Sequence, residues 1–379
     1  SVSAKYLNGY VPTKIYSPVL LLDTEKPVAQ IIPSDKVFGA GEKSTVKYSI
    51  MINPEKGAPI PSWKGEIKSA NGKMVYKTFD LGAFPPESVV WNGICDDGSI
   101  APKGQYVFEI TGKDLAGNIG GGISKDLVTF DTTESELLFA ANDAAFSPNA
   151  DGIKDKISFT PITQTKDVAF YEFTVMNVDK KVVYSTSANK NIPMTFVWNG
   201  HTNENLICKD GNYTATLAIT AANGSTASAS SASFTLDTEK PKLVAQIPWA
   251  DFSPDGDGSQ DSIPLTILEC TNEKLWTCDV RNAKDLSVKK FNWNGKKSEL
   301  IWDGTDESGN LAKDGKYNLV LYSTDDAGNS FSTEIKNINL DSRETKVYLT
   351  AEYEGISPNG DNVLEAQIFN VSTTVSEGI

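Results

Sequence analysis

The feature that most constrains this chain is a short unit that occurs three times at nearly constant spacing. Each unit opens with a Trp-Asx-Gly turn, continues through a polar loop, and ends in an alternating apolar run. The tryptophans are Trp91, Trp198 and Trp302, which lie 107 and 104 residues apart. Alternation such as that of residues 317–323 is typical of a half-buried β-strand. Self-similarity at one period indicates a tandem array.

Two further markers follow a similar period. Asp-Thr or Asp-Ser joints recur at spacings of 108, 106 and 104 residues, and Ser-Pro-Asx segments begin at residues 147, 253 and 357. A chain of 379 residues is expected to hold about three domains. Because the sequence starts without Met and stops inside a further repeat, we expect it to be part of a longer protein. The predicted domains are the end of a preceding repeat (1–22, resembling a last strand), repeat 1 (23–130), repeat 2 (131–236), repeat 3 (237–340) and the start of a fourth (341–379).

About seven short strands are predicted in each repeat, and no stretch shows a sustained helical period. This density of strands and turns is typical of an immunoglobulin-like sandwich. The Ala/Ser-rich stretch 225–233 is expected to be an edge strand or a long turn. Proline in joints such as 237–241 stiffens them. The predicted fold is therefore all-β, with tandem immunoglobulin-like β-sandwich domains forming an extended rod. In repeat 3 the predicted strands are 242–247, 262–268, 275–281, 287–292, 298–302, 317–323 and 331–340.

Charge and composition exclude several classes of function. The formal net charge is −14, and no basic run is present, so nucleic acid is a poor partner. One histidine, His201, serves the whole chain, so a His-dependent catalytic site cannot occur in every repeat. No stretch predicts a membrane span. Cys270 and Cys278 flank a predicted tight turn that would place Ile267 opposite Cys278, so a disulfide between them needs a longer loop.

The sharpest candidate for chemistry is an acidic loop that occurs three times. Oxygen-bearing side chains alternate around a tight bend, which is how a loop wraps a hard cation such as calcium. The alternative is an Asx-rich turn that hydrogen-bonds its own amides. Repeat 1 has residues 38–42 (Phe-Gly-Ala-Gly-Glu) in this place and no comparable set of oxygens. The candidate metal ligands are Asn149, Asp151 and Asp155, then Asp255, Asp257 and Asp261, and finally Asn359, Asp361 and Glu365.

The residues of repeat 3 carry a family resemblance. Residues 302–310 (Trp-Asp-Gly-Thr-Asp-Glu-Ser-Gly-Asn) with 314–317 (Asp-Gly-Lys-Tyr) closely resemble the Ig-like module of the flagellar hook-capping protein FlgD. Residues 252–258 (Phe-Ser-Pro-Asp-Gly-Asp-Gly) resemble the opening of gliding-motility-type C-terminal domains of bacterial surface proteins. The Asp-Thr-Glu-Lys-Pro joint is similar to that of tandem bacterial Ig-like repeats. The resemblance covers nearly the whole chain and implies the sandwich fold, whereas such modules have many functions.

These observations predict a protein that is not an enzyme. We expect a structural or adhesion scaffold of the bacterial cell envelope, outside the cytoplasm, whose partners are surface proteins or neighbouring repeats. The alternative is a set of ligand- or glycan-binding accessory modules of a larger secreted enzyme. Tryptophans at a fixed register favour core packing over sugar stacking. An exposed member of the other tryptophans would be the better ligand contact; these are Trp63, Trp249, Trp276 and Trp293.

Overall fold

The computed structural model describes residues 1–20, 22–52 and 58–374. The predicted terminal fragments 1–22 and 341–379 extend outside these ranges at residue 21 and at residues 375–379. In these ranges the chain is all-β, as predicted, apart from one short 3-10 turn at Gly41–Lys43. It divides into two compact units. Unit 1 comprises Ser1–Ala144 and Lys156–Thr235, and unit 2 comprises Ala145–Asp155 and the chain from Leu236 onward.

Unit 1 begins with a pair of sheets that enclose one core. The order of the smaller sheet is β1-β3-β6, and that of the larger is β2-β9-β7-β4-β5 with β8 also paired to β7. The pairing is antiparallel except for the short parallel contact of β2 with β9. The strands are β1 (Ala29–Pro33), β2 (Val37–Phe38), β3 (Val46–Ile52), β4 (Ser62–Ser69), β5 (Val75–Gly82), β6 (Ser88–Trp91), β7 (Gly104–Lys113), β8 (Ile119–Ile123) and β9 (Val128–Phe130).

A second set of nine strands follows. In unit 1, β10, β12 and β15 form one antiparallel sheet, and β13 lies between β14 and β16 in another. Strand β17 pairs with β16 at the sheet edge, which confirms the edge-strand alternative for the Ala/Ser-rich stretch. The strands are β10 (Leu138–Ala141), β11 (Ala145–Phe146), β12 (Ile157–Ile162), β13 (Val168–Asn177), β14 (Val182–Ala188), β15 (Phe196–Trp198), β16 (Gly211–Ala221), β17 (Thr226–Ser230) and β18 (Phe234–Leu236).

Unit 2 contains a third pair of sheets and one separate hairpin. The sheet orders are β19-β21-β24 and β20-β26-β25-β22-β23, and β27 pairs only with β28. All seven strands predicted in repeat 3 are confirmed; the sequence missed only the two-residue β20. The strands are β19 (Leu243–Gln246), β20 (Asp251–Phe252), β21 (Ile263–Cys270), β22 (Trp276–Asn282), β23 (Ser287–Trp293), β24 (Glu299–Trp302), β25 (Gly315–Thr324), β26 (Ser330–Leu340), β27 (Val347–Ala351) and β28 (Phe369–Thr373).

Strand alternation builds the core between the sheets. In β25, Tyr317, Leu319 and Leu321 are buried while their neighbours are less so. Tyr317 meets Trp302 of the facing sheet, with ring centroids 5.0 Å apart. Aromatic pairs in this tilted or edge-on arrangement add to the free energy gained from burial alone. The period-2 pattern thus fixes which face of each strand packs inward.

A tyrosine near the start of the long strand closes the same corner in all three repeats. The hydroxyls of Tyr106, Tyr213 and Tyr317 donate to the backbone carbonyl four residues upstream. Such a tyrosine corner is a hallmark of immunoglobulin-like sandwiches. Burial raises the pKa of the Tyr106 hydroxyl to about 12, so it remains a donor across the physiological range. The sequence-based fold prediction therefore holds at the level of individual hydrogen bonds.

Two local expectations differ from the structure. Cys270 lies opposite Leu243 in one sheet, whereas Cys278 lies opposite Phe291 in the other, and both thiols are free. The predicted pairing of Ile267 with Cys278 is wrong because the chain crosses between sheets at this point instead of forming a tight hairpin. The described part of residues 1–22 forms an isolated bridge between Val2 and Ile15, not a strand.

Candidate functional site at the repeat junctions and acidic loops

The tryptophans of the Trp-Asx-Gly turns lie in the cores. Trp91, Trp198 and Trp302 are at most 2% exposed. Each indole Nε1–H donates to the backbone carbonyl three residues later, at 2.8–3.1 Å. The predicted core role is confirmed, because a buried indole paired in this way presents no face to a ligand.

The other tryptophans also provide no exposed platform. Trp63, Trp276 and Trp293 are buried, and the half-buried Trp249 donates from Nε1 to the carbonyl of Ser262 at 3.1 Å. Trp276 and Trp293 stack directly across β22 and β23, with centroids 6.1 Å apart. None of these four is therefore the exposed ligand contact that the sequence left open, since they pack within or against the sheets. The glycan-binding alternative therefore gains no support from tryptophan.

The first acidic loop, residues 149–155, binds its own backbone. The two carboxylate oxygens of Asp155 accept the amides of Ala150 and Gly152 at 2.7 and 2.9 Å. Asp151 accepts the amide of Ile153 at 2.7 Å, and the side-chain amide of Asn149 donates to the other oxygen of Asp151 at 3.0 Å. The loop has the geometry of consecutive Asx turns.

The second loop, residues 255–261, repeats these backbone contacts but gathers three carboxylates. Asp261 accepts the amides of Gly256 and Gly258 at 2.7 and 2.9 Å. Oxygens of Asp255, Asp257 and Asp261 all lie within 4.8 Å of one another, the one cluster of this kind in the described part of the chain. No amide donor replaces the side chain of Asn149 here, because Asp255 occupies its position. The negative charges of these three carboxylates repel one another unless a cation binds between them.

The third loop, residues 359–365, resembles the first. The side-chain amide of Asn359 donates to Asp361 at 3.0 Å, and Asp361 accepts the amide of Val363 at 2.8 Å. These two bonds lower the pKa of the Asp361 carboxyl. Glu365 accepts the amide of Asn362 at 3.1 Å. In the first and third loops, an asparagine side chain thus donates a hydrogen bond to the neighbouring aspartate. In the second loop, only a bound cation could provide the corresponding positive charge.

A β-turn near the end of repeat 3 forms a further polar site in unit 2, to which the sequence-based predictions gave no role. In the turn of residues 325–329, the side-chain amide of Asn329 donates to Asp325 Oδ2 and to the backbone carbonyl of Asp237, both at 2.9 Å. Asn329 is fully buried. Because Asp237 begins the Asp-Thr joint, the turn of repeat 3 holds the chain where it enters that repeat. The Asp-x-Ala-Gly-Asn pattern, which residues 114–118 and 325–329 share, is the sequence signal from which this site could have been predicted.

The segment 145–155, which belongs to unit 2, contacts this turn. The hydroxyl of Ser147 donates to Asn329 Oδ1 at 2.6 Å, and the Asn149 side-chain amide donates to the same oxygen at 3.2 Å. Lys154 Nζ donates to the carbonyl of Asp326 at 2.9 Å. A side chain at Gly328 would collide with Ile153, at 2.9 Å. The Ser-Pro-Asn loop and the Asp-Ala-Gly-Asn turn therefore fit each other closely.

Unit 1 contains a corresponding junction with different residues. The turn of repeat 2, residues 221–225, has its asparagine two positions earlier, yet Asn223 Nδ2 still donates to the backbone carbonyls of Asp131 and Thr133, at 3.0 and 2.8 Å. The Gly-Ala-Gly loop of repeat 1 packs on this turn, and the amide of Ala40 donates to the carbonyl of Asn223 at 3.1 Å.

Glycine is required where these two backbones meet. Gly224 adopts φ +91°, and a Cβ there would lie 2.3 Å from the Ala40 carbonyl oxygen. A Cβ at Gly41, which has φ +49°, would lie 2.3 Å from the carbonyl oxygen of Gly224. Neither contact leaves room for a side chain. The first two repeats are thus in direct backbone contact within unit 1.

Comparisons with known proteins give likenesses to solved structures alone. No protein-family model matches this chain, and no curated protein matches it. It is similar to a tetra-tandem repeat in the extending region of a large adhesion protein, with 16% identity over 93% of this chain and 89% of that one and a TM-score of 0.28. The structure of a 1.5-MDa bacterial ice-binding adhesin, described as an insight into host cell surface retention, shows 14% identity over 84% and 99%, with a TM-score of 0.35.

A Ca2+-stabilised adhesin that helps an Antarctic bacterium reach out and bind ice gives 16% identity over 87% of this chain and 78% of that one, with a TM-score of 0.33. All three TM-scores lie below 0.5, so no functional conclusion follows from them.

In the part of the chain that is described, no helix has the length and apolar character needed to cross a membrane. His201 Nδ1 contacts the carbonyl of Asn199 at 2.9 Å in an exposed turn.

Proposed function

We propose that this chain is a non-catalytic scaffold of the bacterial cell envelope, a stalk of Ig-like repeats that spaces or displays an adhesive element. The observation that carries the proposal is the backbone contact of Gly41 and Ala40 with the Asn223–Gly224 turn. A flexible linker would not need glycine at both sides of such a contact. The junction instead fixes one repeat against the next.

The mechanism is mechanical, and it depends on two kinds of contact at each junction. An asparagine side chain holds the Asp-Thr joint, as Asn223 holds Asp131 and as Asn329 holds Asp237. A loop of the preceding repeat then packs on the same turn. Because buried hydrogen bonds are costly to break without a replacement partner, the joint resists bending and local opening. The proposed repeats are those defined by the joints, at 23–130, 131–236 and 237–340.

Calcium is proposed as a further stabiliser at one of the three acidic loops. Asp255, Asp257 and Asp261 supply hard oxygen ligands close enough to share one cation. The loops of Asn149 and Asn359 already contain an internal donor, so we propose that they bind calcium more weakly. Bound calcium would cancel the repulsion of the three carboxylates and hold the 255–261 loop in its turn conformation.

The proposed location is extracytoplasmic, and the proposed partners are surface proteins or neighbouring repeats of the same type. The acidic surface, with a formal net charge of −14, suits a soluble array in contact with divalent cations. The three repeating indoles are buried, which favours the scaffold over the accessory glycan-binding alternative.

The test measures whether repeats 1 and 2 are held in one pose. Spin labels are placed at two exposed positions on equivalent hairpins, Lys73→Cys and Lys181→Cys, in the full chain with its four native cysteines changed to alanine. Double electron–electron resonance should give a narrow distribution of distances between the two labels, and this distribution should broaden in Gly224→Val. Gly98→Val is the matched control, since Gly98 also has positive φ but open space around its Cβ position. A broad distribution in the unaltered background would overturn the scaffold mechanism.

A further inference from the structure

We propose that the turn of residues 114–118 in repeat 1 is a docking surface for the Ser-Pro-Asn loop of another Ig-like repeat. This inference rests on the proposed function and names the partner of one of its surfaces. It starts from the three turns of this type: one takes a Ser-Pro-Asn loop, one takes a Gly-Ala-Gly loop, and the third is exposed.

The exposed turn has the same internal hydrogen bonds as the covered turn of repeat 3. Asn118 donates from its backbone to Asp114 Oδ1 at 2.8 Å and from Nδ2 to Asp114 Oδ2 at 2.9 Å. Asn118 Nδ2 also donates to the carbonyl of Asp23, the first residue of its joint, at 3.2 Å. Asn329 makes the same set of bonds to Asp325 and Asp237. The surface is therefore already formed without its partner.

The turns of repeats 1 and 3 differ in whether another loop packs over them. Asn329 is 0% exposed, whereas Asn118 is only half-buried. A Cβ at Gly117 would meet nothing within 4 Å, whereas one at Gly328 meets Ile153 at 2.9 Å. Among residues 1–20, 22–52 and 58–374, none donates a hydrogen bond to Asn118 Oδ1, the atom that corresponds to the acceptor of Ser147 in repeat 3. The neighbouring Leu115 is 69% exposed.

The sequence of the turn selects one kind of loop. The Asp-Ala-Gly-Asn turn presents an amide oxygen that accepts from Ser147 and Asn149. In the turn of repeat 2 the asparagine oxygen instead accepts from Ser225 within the same turn, and its partner loop has Gly39 and Gly41 where serine and asparagine would be. Residues 114–118 (Asp-Leu-Ala-Gly-Asn) have the first pattern, so the fitting partner is a Ser-Pro-Asn loop.

The chain offers a direct test. A copy of residues 131–236 is fused ahead of Asp23 in place of residues 1–22. The new joint reads Leu-Asp-Thr-Glu-Lys-Pro, identical to residues 236–241. Hydrogen exchange of the backbone amides at 115–118 should slow by about tenfold, the size expected for one new buried hydrogen-bond contact. The change Ser147→Ala in the added copy alone should reverse this protection.

Two controls make the outcome decisive. A fusion of residues 23–130 at the same point supplies a Gly-Ala-Gly loop and should leave exchange at 115–118 unchanged. The change Ser147→Ala in the original copy should speed exchange at residues 326–329. If the original contact responds and the fused repeat gives no protection, or if both fusions protect equally, the docking inference is wrong. If Ser147→Ala changes neither turn, the junction mechanism of the proposed function fails as well.

Discussion

The side-chain amide of Asn329 donates a hydrogen bond of 2.9 Å to the backbone carbonyl of Asp237, 92 positions earlier in the chain. Asn118 makes the same contact with Asp23, and Asn223 makes it with Asp131 from a shifted position in its turn. The last hairpin of each repeat thus holds the first residue of the same repeat. Local turn chemistry fixes the direction in which the chain enters each sandwich.

Asn329→Ala should loosen this joint. The substitution removes the bonds to Asp325 and Asp237 and leaves the hydroxyl of Ser147 without its acceptor in a buried site. We expect a loss of local stability of about 2–4 kcal/mol. Hydrogen exchange of peptides covering 236–241 and 325–331 measures it. Asn294→Ala is the control, because Asn294 is exposed in the same unit and its side chain has no bonding partner among the described residues.

Gly224→Ala should be far more harmful than Gly98→Ala. Both glycines have positive φ, +91° and +82°, so alanine carries a similar backbone strain at each position. Only at Gly224 would the new Cβ lie 2.3 Å from a carbonyl oxygen, that of Ala40. Thermal unfolding of the two variants should differ by several degrees, with faster exchange of the Ala40 amide in Gly224→Ala alone. Equal melting temperatures would contradict the close approach.

Calcium should bind most tightly at the 255–261 loop. Calorimetric titration of the full chain should show one dominant site, which Asp257→Asn or Asp261→Asn removes. Asp255→Asn creates the asparagine pattern of the first loop and should weaken binding by placing an internal donor next to Asp257. Saturating calcium should raise the melting temperature of the unaltered chain, because a ligand that binds only the folded state stabilises it.

The matched variants are Asp151→Asn in the first loop and Asp361→Asn in the third. Each removes a carboxylate at the position of Asp257, yet the dominant site should remain. Calcium heats that are unchanged in Asp257→Asn would show that the three carboxylates do not form the site. In that case the second loop would be an Asx turn like the other two.

Asp303→Asn should change the acid sensitivity of repeat 3. Burial raises the pKa of Asp303, but bonds from the side chain and amide of Thr305 and from Lys289 outweigh it and lower the pKa from 3.8 to about 2. A depressed pKa contributes stability above the unfolded value, and this contribution is lost as pH falls from about 4 to about 2. After discount for solvent screening it amounts to about 1 kcal/mol.

The variant should therefore be less stable than the parent at pH 7 and equal to it near pH 2. It should still fold, because Asn92 and Asn199 occupy the same turn position in the other repeats and accept the corresponding amide. Denaturant unfolding at several pH values gives the comparison. A difference between parent and variant that does not change with pH would exclude the carboxylate charge as its cause.

Much of the fold could be predicted because strand alternation and turn residues are local signals. The strands of repeat 3 were located to within a few residues, and the burial of Trp91, Trp198 and Trp302 followed from their fixed register. The two-residue β20 was missed because a strand this short carries no periodic pattern; it pairs in parallel with β26, far away in sequence. The crossing that separates Cys270 from Cys278 also depends on which sheet each strand joins.

The junctions could not be predicted, although the Asp-Thr joints and the Ser-Pro-Asx segments were recognised as markers of the repeat. The Asp-x-Ala-Gly-Asn turn has the composition of any polar β-turn, and its role depends on contacts with residues about 90 and 180 positions away. The acidic loops form turns at the positions that the sequence marked, and their binding of calcium stays a prediction. The difference among them depends on whether Asn149, Asp255 or Asn359 begins the loop, and it became visible when the side-chain donors were placed.

The pairing of loop type with turn type restricts how an array like this can grow by gene duplication. Copying repeat 2 alone would bring its Ser-Pro-Asn loop against the Asn223 turn, which fits a Gly-Ala-Gly loop. Copying repeat 1 alone would create the opposite mismatch at Asn118. Copying repeats 1 and 2 together preserves both fits. On the docking proposed for Asn118, duplication of repeats 1 and 2 as a pair would therefore leave both of these junctions fitted, whereas duplication of either repeat alone would not.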